Sequence, residues 1–323
     1  MSQSFLSFVI PCYRSEKTIE MVLDEIISVM AQRPQMRFEV IAVNDCSPDD
    51  VYSVLKRRAS EDERIKVLSL ARNMGKHCAV LAGHSVARGD YVVDLDDDFQ
   101  SPVSELWRLL EPLERDECDY VTAKYLVRRQ SAGKRLGSNI NLLMSAFMLD
   151  KPLDLRFENF SAMRRFVSEE IIRYKHPFPY LEGLVLRVTR RISTVEMEQR
   201  SRGDDSGTGF TFRRSVSLWL NGLTAFSVKP LRLATLLGFT VAGFGFAYAA
   251  YVVLDKLMNP AIQAGFSSVM AVLLITSGIV MCLIGLIGEY VGRIYICINQ
   301  APQFIIKEHK NIDKSSGKTE DRS

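Results

Sequence analysis

Several common functional motifs are missing from this 323-residue sequence. Neither G-x-G-x-x-G nor G-x-x-x-x-G-K-S/T occurs, so the dinucleotide-binding and P-loop classes lose their main support. The six cysteines form no C-x-x-C pair and have no histidine at zinc-ligand spacing. This argues against a zinc site and against a disulfide framework.

Strong charge and a secretory signal are missing too. The formal net charge is +3, and the N-terminal part has no stripe of basic residues interleaved with aromatics. Nucleic acid is therefore not an expected partner. The N-terminus lacks the basic segment and long apolar run of a secretory signal, and its short apolar run is typical of one buried strand. We expect the N-terminal half to stay in the cytoplasm, a reducing compartment.

The first half of the chain does contain a regular alternation of apolar and amphipathic segments. The apolar segments predict strands at Phe5–Ile10, Phe38–Val43, Ile65–Leu70, Tyr91–Leu95 and Tyr120–Ala123. The amphipathic segments predict helices at Thr18–Ala31, Asp50–Arg58, Lys76–Val86 and Val103–Leu113. This order predicts an α/β fold with a doubly wound, mostly parallel sheet, in which ligands bind at the carboxyl ends of the strands.

Two long apolar stretches follow. Between Leu231 and Leu254 only Arg232 is charged, and Leu257–Gly288 carries no charge. A helix of about 20 residues crosses a hydrocarbon core of about 30 Å, so each stretch is long enough to span a membrane. We predict transmembrane helices at 230–256 and 264–290. The alternative is two buried helices of a soluble domain.

The charges around these stretches predict their orientation. Basic residues lie before the first stretch and after the second, at Arg213, Arg214, Lys229, Arg293, Lys307 and Lys310. The positive-inside rule therefore predicts a multi-pass protein of the inner (cytoplasmic) membrane with both ends in the cytoplasm. We expect a catalytic domain at 1–211, an amphipathic interface helix or an ordinary surface helix at 212–229, and a cytoplasmic, partly disordered tail at 291–323.

An acidic run, DLDDDFQ at 94–100, ends the fourth predicted strand. Alternate aspartates on an extended segment project to one side roughly 6 Å apart, and each such pair repels by about 3 kcal/mol at an intermediate dielectric. A divalent cation relieves this repulsion. Hard oxygen ligands with no His or Cys beside them favour Mg²⁺ or Mn²⁺ shared with a substrate diphosphate. The alternative is an acidic turn that caps the helix beginning near Pro102.

Polar clusters also end the three preceding strands, as PCYRSE (11–16), NDCSPDD (44–50) and ARNMGKH (71–77). In a parallel sheet these clusters meet at one edge. With DLDDDFQ and the closing GLIGEYVGRIY (285–295), they resemble family 2 of the glycosyltransferases. The branch resembled is the polyprenyl-phosphate glycosyltransferases, which include dolichyl-phosphate mannose synthase and bacterial undecaprenyl-phosphate sugar transferases. The resemblance spans most of residues 5–307 and implies a GT-A-type catalytic domain followed by the interface helix and the two-helix hairpin.

The resemblance implies a nucleotide-sugar site and a metal site. The residues that match the nucleotide-sugar contacts are Pro11, Tyr13, Asp45, Arg72, Asn73, Gly75, Asp96 and Gln100. Asn44 replaces the first Asp of a D-D-x-S element, and Ser15 stands where many members have Glu, which puts recognition of the base in question. Asp96 and Asp98 match the ends of the D-x-D metal motif, whereas Asp94 and Asp97 are interpreted as supporting or solvated side chains.

Phosphate-binding and catalytic residues are also implied. The arginines in the matching regions are Arg128, Arg129, Arg135, Arg200 and Arg202. A guanidinium binds phosphate bidentately, and the alternative for each arginine is a solvated surface charge. Asp98 is predicted to be catalytic. A second acidic residue of the catalytic site is expected in the stretch beginning at 154, where Asp154 and Glu158 both remain open.

The implied activity is inverting transfer of one sugar from a UDP- or GDP-linked donor to a polyprenyl phosphate, with Mg²⁺ or Mn²⁺ as cofactor. One alternative is a processive polysaccharide synthase, although the Q-x-x-R-W motif and the further spans of that class are missing. Another is a membrane-anchored scaffold that binds nucleotide sugar without turnover. The small residues of the two spans also suit a homo-oligomer.

Overall fold

A computed structural model of the chain describes residues 4–125, 152, 155–176, 179–198, 200, 229–258, 265–298 and 302–312. The chain divides into two compact units. The first consists of Met1–Gly209 together with Gln300–Ser323, and the second of Phe210–Asn299.

The first unit is built on a mixed sheet. Among the described residues its strands are β1 (Phe5–Cys12), β2 (Arg37–Asn44), β3 (Ile65–Leu70), β4 (Tyr91–Asp94), β5 (Tyr120–Tyr125), β6 (Ser161–Arg164), β7 (Ile192–Met197) and β8 (Ile306–Lys310). Their order across the sheet is β7-β5-β6-β4-β1-β2-β3-β8. The first four strands run parallel, β6 is antiparallel to both β4 and β5, and β8 is antiparallel to β3.

Helices cover both faces of this sheet. They are α1 (Ile19–Met30), α2 (Val51–Glu61), α3 (Lys76–His84), α4 (Leu106–Glu114), α5 (Arg165–Ile171) and α6 (Leu181–Val188). Successive strand residues point to opposite faces. Leu6 and Phe8 accordingly pack in one buried cluster with α1, α2 and α4, whereas α3 lies against Val9 and Val43, whose side chains a Cβ at Gly83 would meet. The predicted doubly wound architecture is confirmed.

A buried polar group fixes the opposite, amino-terminal edge of the sheet. Ser7 Oγ donates to Glu39 Oε1 (2.5 Å) and accepts a hydrogen bond from Gly89 N (2.8 Å). Gly89 lies so close to β1 that an added Cβ would be 2.6 Å from Ser7 N and 2.8 Å from the Phe5 carbonyl oxygen. These contacts pack Gly89 tightly against β1 at this edge, and the polar loops after β1 to β4 lie at the other edge.

Residues 302–312 belong to the first unit although they follow the second along the chain. Gln303 Nε2 donates to the carbonyl oxygens of Tyr174 (2.8 Å) and His176 (2.7 Å). Ala71 N donates to the Ile305 carbonyl oxygen (2.8 Å), and β8 then continues the pairing with β3. The sequence predicted a tail here and did not predict this strand.

The second unit contains two long helices, α7 (Lys229–Met258) and α8 (Phe266–Ile298). Their bounds match the two predicted spans closely, except that α8 continues beyond 290. Within the described residues, α8 alone is long and apolar enough to cross a membrane, in the window Ile275–Gly292. Both membrane spans therefore stay predictions, and the length and composition of α8 agree with the second of them. The predicted interface helix lies outside the described residues except for Lys229.

Candidate active site

The loops that follow β1, β2, β3 and β4 share an unusual backbone feature. Each contains one residue with a left-handed φ: 59° at Arg14, 51° at Cys46, 86° at Gly75 and 61° at Phe99. These angles are costly for residues other than glycine and persist only where the surrounding structure fixes them, often at functional sites. Four constrained loops thus meet at the carboxyl edge of the sheet, where ligands bind in such folds.

Hydrogen bonds join the first two of these loops. Ser47 Oγ accepts from Arg14 N (2.8 Å) and donates to Asp49 Oδ1 (2.5 Å). The buried Asn44 accepts from Ser47 N (3.0 Å) and donates to Ser69 Oγ (3.0 Å). Asn44, which replaces an Asp of the family pattern, therefore uses both the oxygen and the nitrogen of its side-chain amide to hold the loop.

Asp45 fixes the loop after β3. The residue is 3% exposed, and its carboxylate accepts hydrogen bonds from Met74 N (2.7 Å) and Gly75 N (2.9 Å). Burial raises the pKa of Asp45 above its usual range, and the two N–H donors oppose the rise. The carboxylate clamps the R-N-x-G element while Arg72 and Asn73 remain exposed. The base contact expected of Asp45 stays a prediction.

Asp97 supports the loop after β1. Its Oδ2 accepts from Tyr13 N (2.9 Å), and its carbonyl oxygen accepts from Thr18 Oγ1 (2.6 Å). Burial raises the pKa of Asp97 to about 6, and the neighbouring Asp96 and Asp98 carboxylates add to the rise. The side chain is thus turned to the protein, in the supporting role that the sequence indicated.

Asp96 and Asp98 lie at the two ends of the predicted metal motif. Asp96 Oδ1 accepts from the Lys76 ammonium and Oδ2 from the Asn159 amide. Asp98 Oδ1 accepts from Gln100 N (3.1 Å). The ammonium group of Lys76 therefore already lies against one carboxylate of this motif.

Glu158 lies close to the same motif. Burial raises the pKa of Glu158, the carboxylates of Glu182 and Asp96 add to the rise, and Arg156 and Lys76 oppose it. Its backbone is held by Thr122, whose Oγ1 accepts from Glu158 N (2.9 Å). Of the two acidic candidates in this stretch, the structure brings Glu158 to the site, and Asp154 lies outside the described residues.

Asp94, the last residue of β4, is held by a buried histidine of α3. Its Oδ1 lies 2.8 Å from His84 Nε2, and Ser168 Oγ lies 2.8 Å from His84 Nδ1. A histidine protonated on Nε2 satisfies both contacts, because it donates to Asp94 and accepts from Ser168. Both His84 and Ser168 are buried, so Asp94 is tied into the core.

Arg200 has a different environment from the one predicted. Its guanidinium makes two hydrogen bonds to Glu25, at 2.6 and 2.7 Å, and its Cζ lies 4.8 Å from the centre of the Phe99 ring. Arg200 N also donates to the Gln100 carbonyl oxygen (3.4 Å). The side chain holds its segment against the loop of the metal motif, and its role in binding phosphate stays a prediction. Four other predicted arginines lie outside the described residues: Arg128, Arg129, Arg135 and Arg202.

The structure adds residues that the sequence analysis did not single out. Lys76 and Asn159 contact Asp96 directly. Burial raises the pKa of Tyr125 to about 12, and the carboxylates of Glu158, Asp96 and Asp98 contribute, which places this tyrosine beside the site. Lys76 follows the R-N-x-G element and Asn159 follows Glu158, so adjacency to recognised motifs was the available signal.

Comparison with known proteins identifies the two parts of the chain. Residues 7–172 match the model described as glycosyl transferase family 2, and residues 229–294 match the GtrB C-terminal hairpin. The uncharacterized glycosyltransferase YkcC of Bacillus subtilis (strain 168) is 33% identical over 95% of this chain and 94% of its own length. The prophage bactoprenol glucosyl transferase homolog of Escherichia coli (strain K12) is 29% identical, with 94% and 99% covered.

Two further comparisons concern sequence and fold. The undecaprenyl-phosphate 4-deoxy-4-formamido-L-arabinose transferase of Proteus mirabilis (strain HI4320) is 29% identical over 98% of this chain and 97% of its own. The crystal structure of mannosyl-3-phosphoglycerate synthase from Rubrobacter xylanophilus has the same fold, with a TM-score of 0.51 at 19% identity over 71% of this chain and 74% of that one. The chain therefore belongs to glycosyltransferase family 2 and continues into a GtrB-type C-terminal hairpin.

Proposed function

We propose that this glycosyltransferase moves a single sugar, with inversion, from a UDP- or GDP-linked donor to a polyprenyl phosphate such as undecaprenyl phosphate. The observation that carries the proposal is the joining of a family 2 domain and a GtrB-type hairpin in one chain. Two relatives that align over 94% and 98% of this chain are named for bactoprenol and for undecaprenyl phosphate. A lipid acceptor also explains why a sugar transferase needs long apolar helices, because the polyprenyl chain stays in the bilayer.

The reaction makes modest demands on proton transfer. A phosphate oxygen of the lipid forms a bond to the anomeric carbon while the bond from that carbon to the nucleoside diphosphate breaks, and the diphosphate keeps the electron pair. A phosphate monoester has a second pKa near about 6, so the acceptor is largely dianionic at neutral pH and needs no strong base. We therefore assign Glu158 to orienting the reacting groups. Asp154 keeps the same proposed role as an alternative.

The donor set of Asp96 and Asp98 fits Mg²⁺ or Mn²⁺, since both ions prefer hard carboxylate oxygens. Among the described residues, no group of three or more His, Cys, Asp or Glu side chains could hold a metal ion. The Lys76 ammonium on Asp96 supports the assignment, because it occupies a position suited to positive charge. A bound cation would neutralise charge on the leaving diphosphate.

The surroundings of the loops support the predicted donor contacts. Tyr13 follows β1 and is 43% exposed, and the Arg14 Cζ lies 5.6 Å from the centre of its ring. Arg72 and Asn73 are exposed just before the N-terminus of α3, a position that favours phosphate. The proposed donor-binding residues are Pro11, Tyr13, Asp45, Arg72, Asn73, Gly75, Asp96 and Gln100.

The residues that would bind the lipid phosphate are assigned from the sequence. We assign the lipid phosphate to the arginines of the matching regions, Arg128, Arg129, Arg135 and Arg202. Arg200 ranks behind them because its guanidinium is already paired with Glu25. We further propose that the hairpin crosses the cytoplasmic membrane twice, with the catalytic domain and both ends on the cytoplasmic side.

A transfer assay with purified full-length protein tests the proposed function. The protein in nanodiscs receives undecaprenyl phosphate, Mn²⁺ or Mg²⁺, and a panel of UDP- and GDP-linked sugars, and mass spectrometry identifies the lipid product. We expect one donor to give a lipid that carries one sugar. Asp98→Asn should lower the rate at least ~100-fold, because it removes a charged ligand of the cation that would neutralise the leaving diphosphate. Asp24→Asn is the matched control, because Asp24 forms an exposed ion pair with Arg58 on α2.

Two results would contradict this function. A lipid that carries a chain of several sugars would favour a processive synthase. Nucleotide-sugar binding by wild-type protein without transfer to any lipid would favour the non-catalytic scaffold. Equal activity of the Asp98 and Asp24 variants would remove Asp98 from the mechanism.

A further inference from the structure

Lys76 forms an ion pair with one end of the predicted metal motif. Its Nζ contacts Asp96 Oδ1, while the other oxygen of the same carboxylate accepts from Asn159. The side chains of Lys76 and Asp96 are 41% and 20% exposed, so the pair lies in an open part of the site. A divalent cation that binds Asp96 has to compete with this ammonium.

The backbone of Lys76 is held in place at the start of α3. Lys76 is the first residue of α3 and follows Gly75, whose φ of 86° and hydrogen bond to Asp45 hold the turn. Its positive charge also opposes the rise in the pKa of Glu158 and helps to lower that of His77. The ammonium therefore acts on the space between the R-N-x-G element, the metal motif and Glu158.

We propose that Lys76 exchanges partners in each turnover: it neutralises Asp96 in the free enzyme and moves to the donor diphosphate when a divalent cation takes Asp96. This rests on the proposed function, since it needs a nucleotide-sugar donor and a cation at Asp96. Three properties support the exchange. Exposed ion pairs are weak, a lysine carries its point charge on a flexible four-carbon stem, and two cations on one carboxylate oxygen repel each other.

After the exchange, Lys76 would stabilise charge on the leaving diphosphate without transferring a proton. As the bond from the anomeric carbon to the diphosphate breaks, the electron pair stays on the diphosphate oxygen. The Lys76 ammonium donates a hydrogen bond to that developing charge and keeps its proton. Placing a preformed donor where negative charge develops is the usual way in which such groups accelerate a transfer.

The Lys76→Met variant tests the exchange, because the exchange predicts tighter binding of Mn²⁺ but weaker binding of UDP in this variant. Without nucleotide, the variant should bind Mn²⁺ about three- to tenfold more tightly than wild type, since the competing ammonium is gone. With Mn²⁺ present, it should bind UDP about tenfold more weakly and transfer sugar about 100-fold more slowly. Free Mn²⁺ is measured by electron paramagnetic resonance, UDP binding by calorimetry, and transfer by the lipid assay, all on the full chain.

Two further variants complete the experiment. Lys76→Arg keeps the positive charge and should restore the Mn²⁺ affinity and most of the UDP affinity of wild type. Lys56→Met removes an ammonium 3.3 Å from Glu308, in an exposed pair outside the site, and should leave all three measurements unchanged. Thermal melting of each variant checks that the fold is retained.

The outcomes separate this inference from the proposed function. If wild type binds Mn²⁺ and Lys76→Met binds it with equal or lower affinity, the partner exchange is wrong and the proposed function stands. If UDP affinity is unchanged in Lys76→Met, the contact with the diphosphate is wrong. If wild type binds no Mn²⁺ even with UDP, the proposed metal site is wrong, and the partner exchange is wrong as well.

Discussion

Each of the four aspartates at the end of β4 has its own partner. Asp94 pairs with His84, Asp96 with Lys76 and Asn159, Asp97 with Tyr13 N, and Asp98 with Gln100 N. Four like charges within five residues repel one another strongly unless each is compensated. The pairing therefore divides one acidic run into two residues that support the protein and two that face the site.

This division predicts different outcomes for two conservative variants. Asp97→Asn keeps an oxygen that accepts from Tyr13 N, so we expect Mn²⁺ affinity within about threefold of wild type and transfer within about tenfold. Asp96→Asn should lose most Mn²⁺ binding, because it removes a charged ligand. Paramagnetic resonance and the lipid assay measure both. Loss of Mn²⁺ binding in Asp97→Asn equal to that in Asp96→Asn would contradict the supporting role of Asp97.

His77 predicts a dependence of stability on pH. Burial lowers the pKa of His77 from 6.5 to about 4, and the adjacent Lys76 contributes. Between these two values the unfolded chain binds more protons than the folded one, so stability rises with pH across that window. Wild type should lose about 1–3 kcal/mol between pH 7 and pH 4.5 from this residue.

His77→Phe removes the titration and keeps a ring beside Tyr180, whose ring centre lies 5.8 Å from that of His77. The buried Nδ1 has no hydrogen-bond partner among the residues that the structure describes, so its loss should cost little. Chemical unfolding at pH 7 and pH 4.5 should show a smaller decrease in stability for the variant. Equal decreases in both proteins would show that His77 titrates normally in the fold.

At the scale of secondary structure, the sequence predicted the elements that carry their own pattern. The β1–β5 region alternates buried strands with amphipathic helices, and each strand is followed by a polar loop. Strands β6 and β8 lack such a pattern: SAMR is very short, and IKEHK is exposed at four of its five positions. These strands form because a partner strand lies beside them, and the local sequence pattern does not show which strands will be neighbours in the sheet.

The site shows the same limit. The polar clusters after predicted strands, together with the family resemblance, led to the prediction of Asp96, Asp98 and the R-N-x-G element as site residues. The sequence did not identify Lys76 as a partner of Asp96, since the two lie 20 positions apart and meet only where the start of α3 faces the loop after β4. Nor did it show that Arg200 is paired with Glu25, 175 positions away.

Strand β8 predicts that residues 302–312 are needed for a stable catalytic unit. Their deletion removes the pairing with β3, the Gln303 bonds to two carbonyl oxygens and the Asn311 bonds to Ala59 and Ile65. It also exposes β3 as an edge strand whose unpaired backbone groups can pair with other chains. We expect a melting temperature lower by several degrees, with aggregation.

Differential scanning fluorimetry and light scattering on the full chain and the deletion variant measure these effects. Glu308→Gln is the matched control, because it removes the exposed ion pair with Lys56 and keeps an acceptor for Tyr52. Its melting temperature should stay close to wild type. A deletion variant that melts and remains soluble like wild type would show that β8 is dispensable.

For the whole molecule, the proposed topology predicts the location of three points along the chain. A green fluorescent protein fused after residue 323 should fluoresce in a bacterial host, because the C-terminus is expected in the cytoplasm. Alkaline phosphatase inserted in the connection at 259–264 should be active, because that connection is expected outside. The same enzyme inserted after residue 211 should be inactive. Activity at 211 or inactivity at 259–264 would contradict a hairpin that crosses twice.

The position of β8 along the chain also sets an order for biosynthesis. The sheet needs β3, made early, and β8, made after both helices of the second unit. While the ribosome is still making the two long helices, β3 is paired with β2 on one side, but its other edge has no partner strand. The catalytic unit therefore completes its sheet only after both long helices have been synthesised, so its last strand folds after the second unit has left the ribosome.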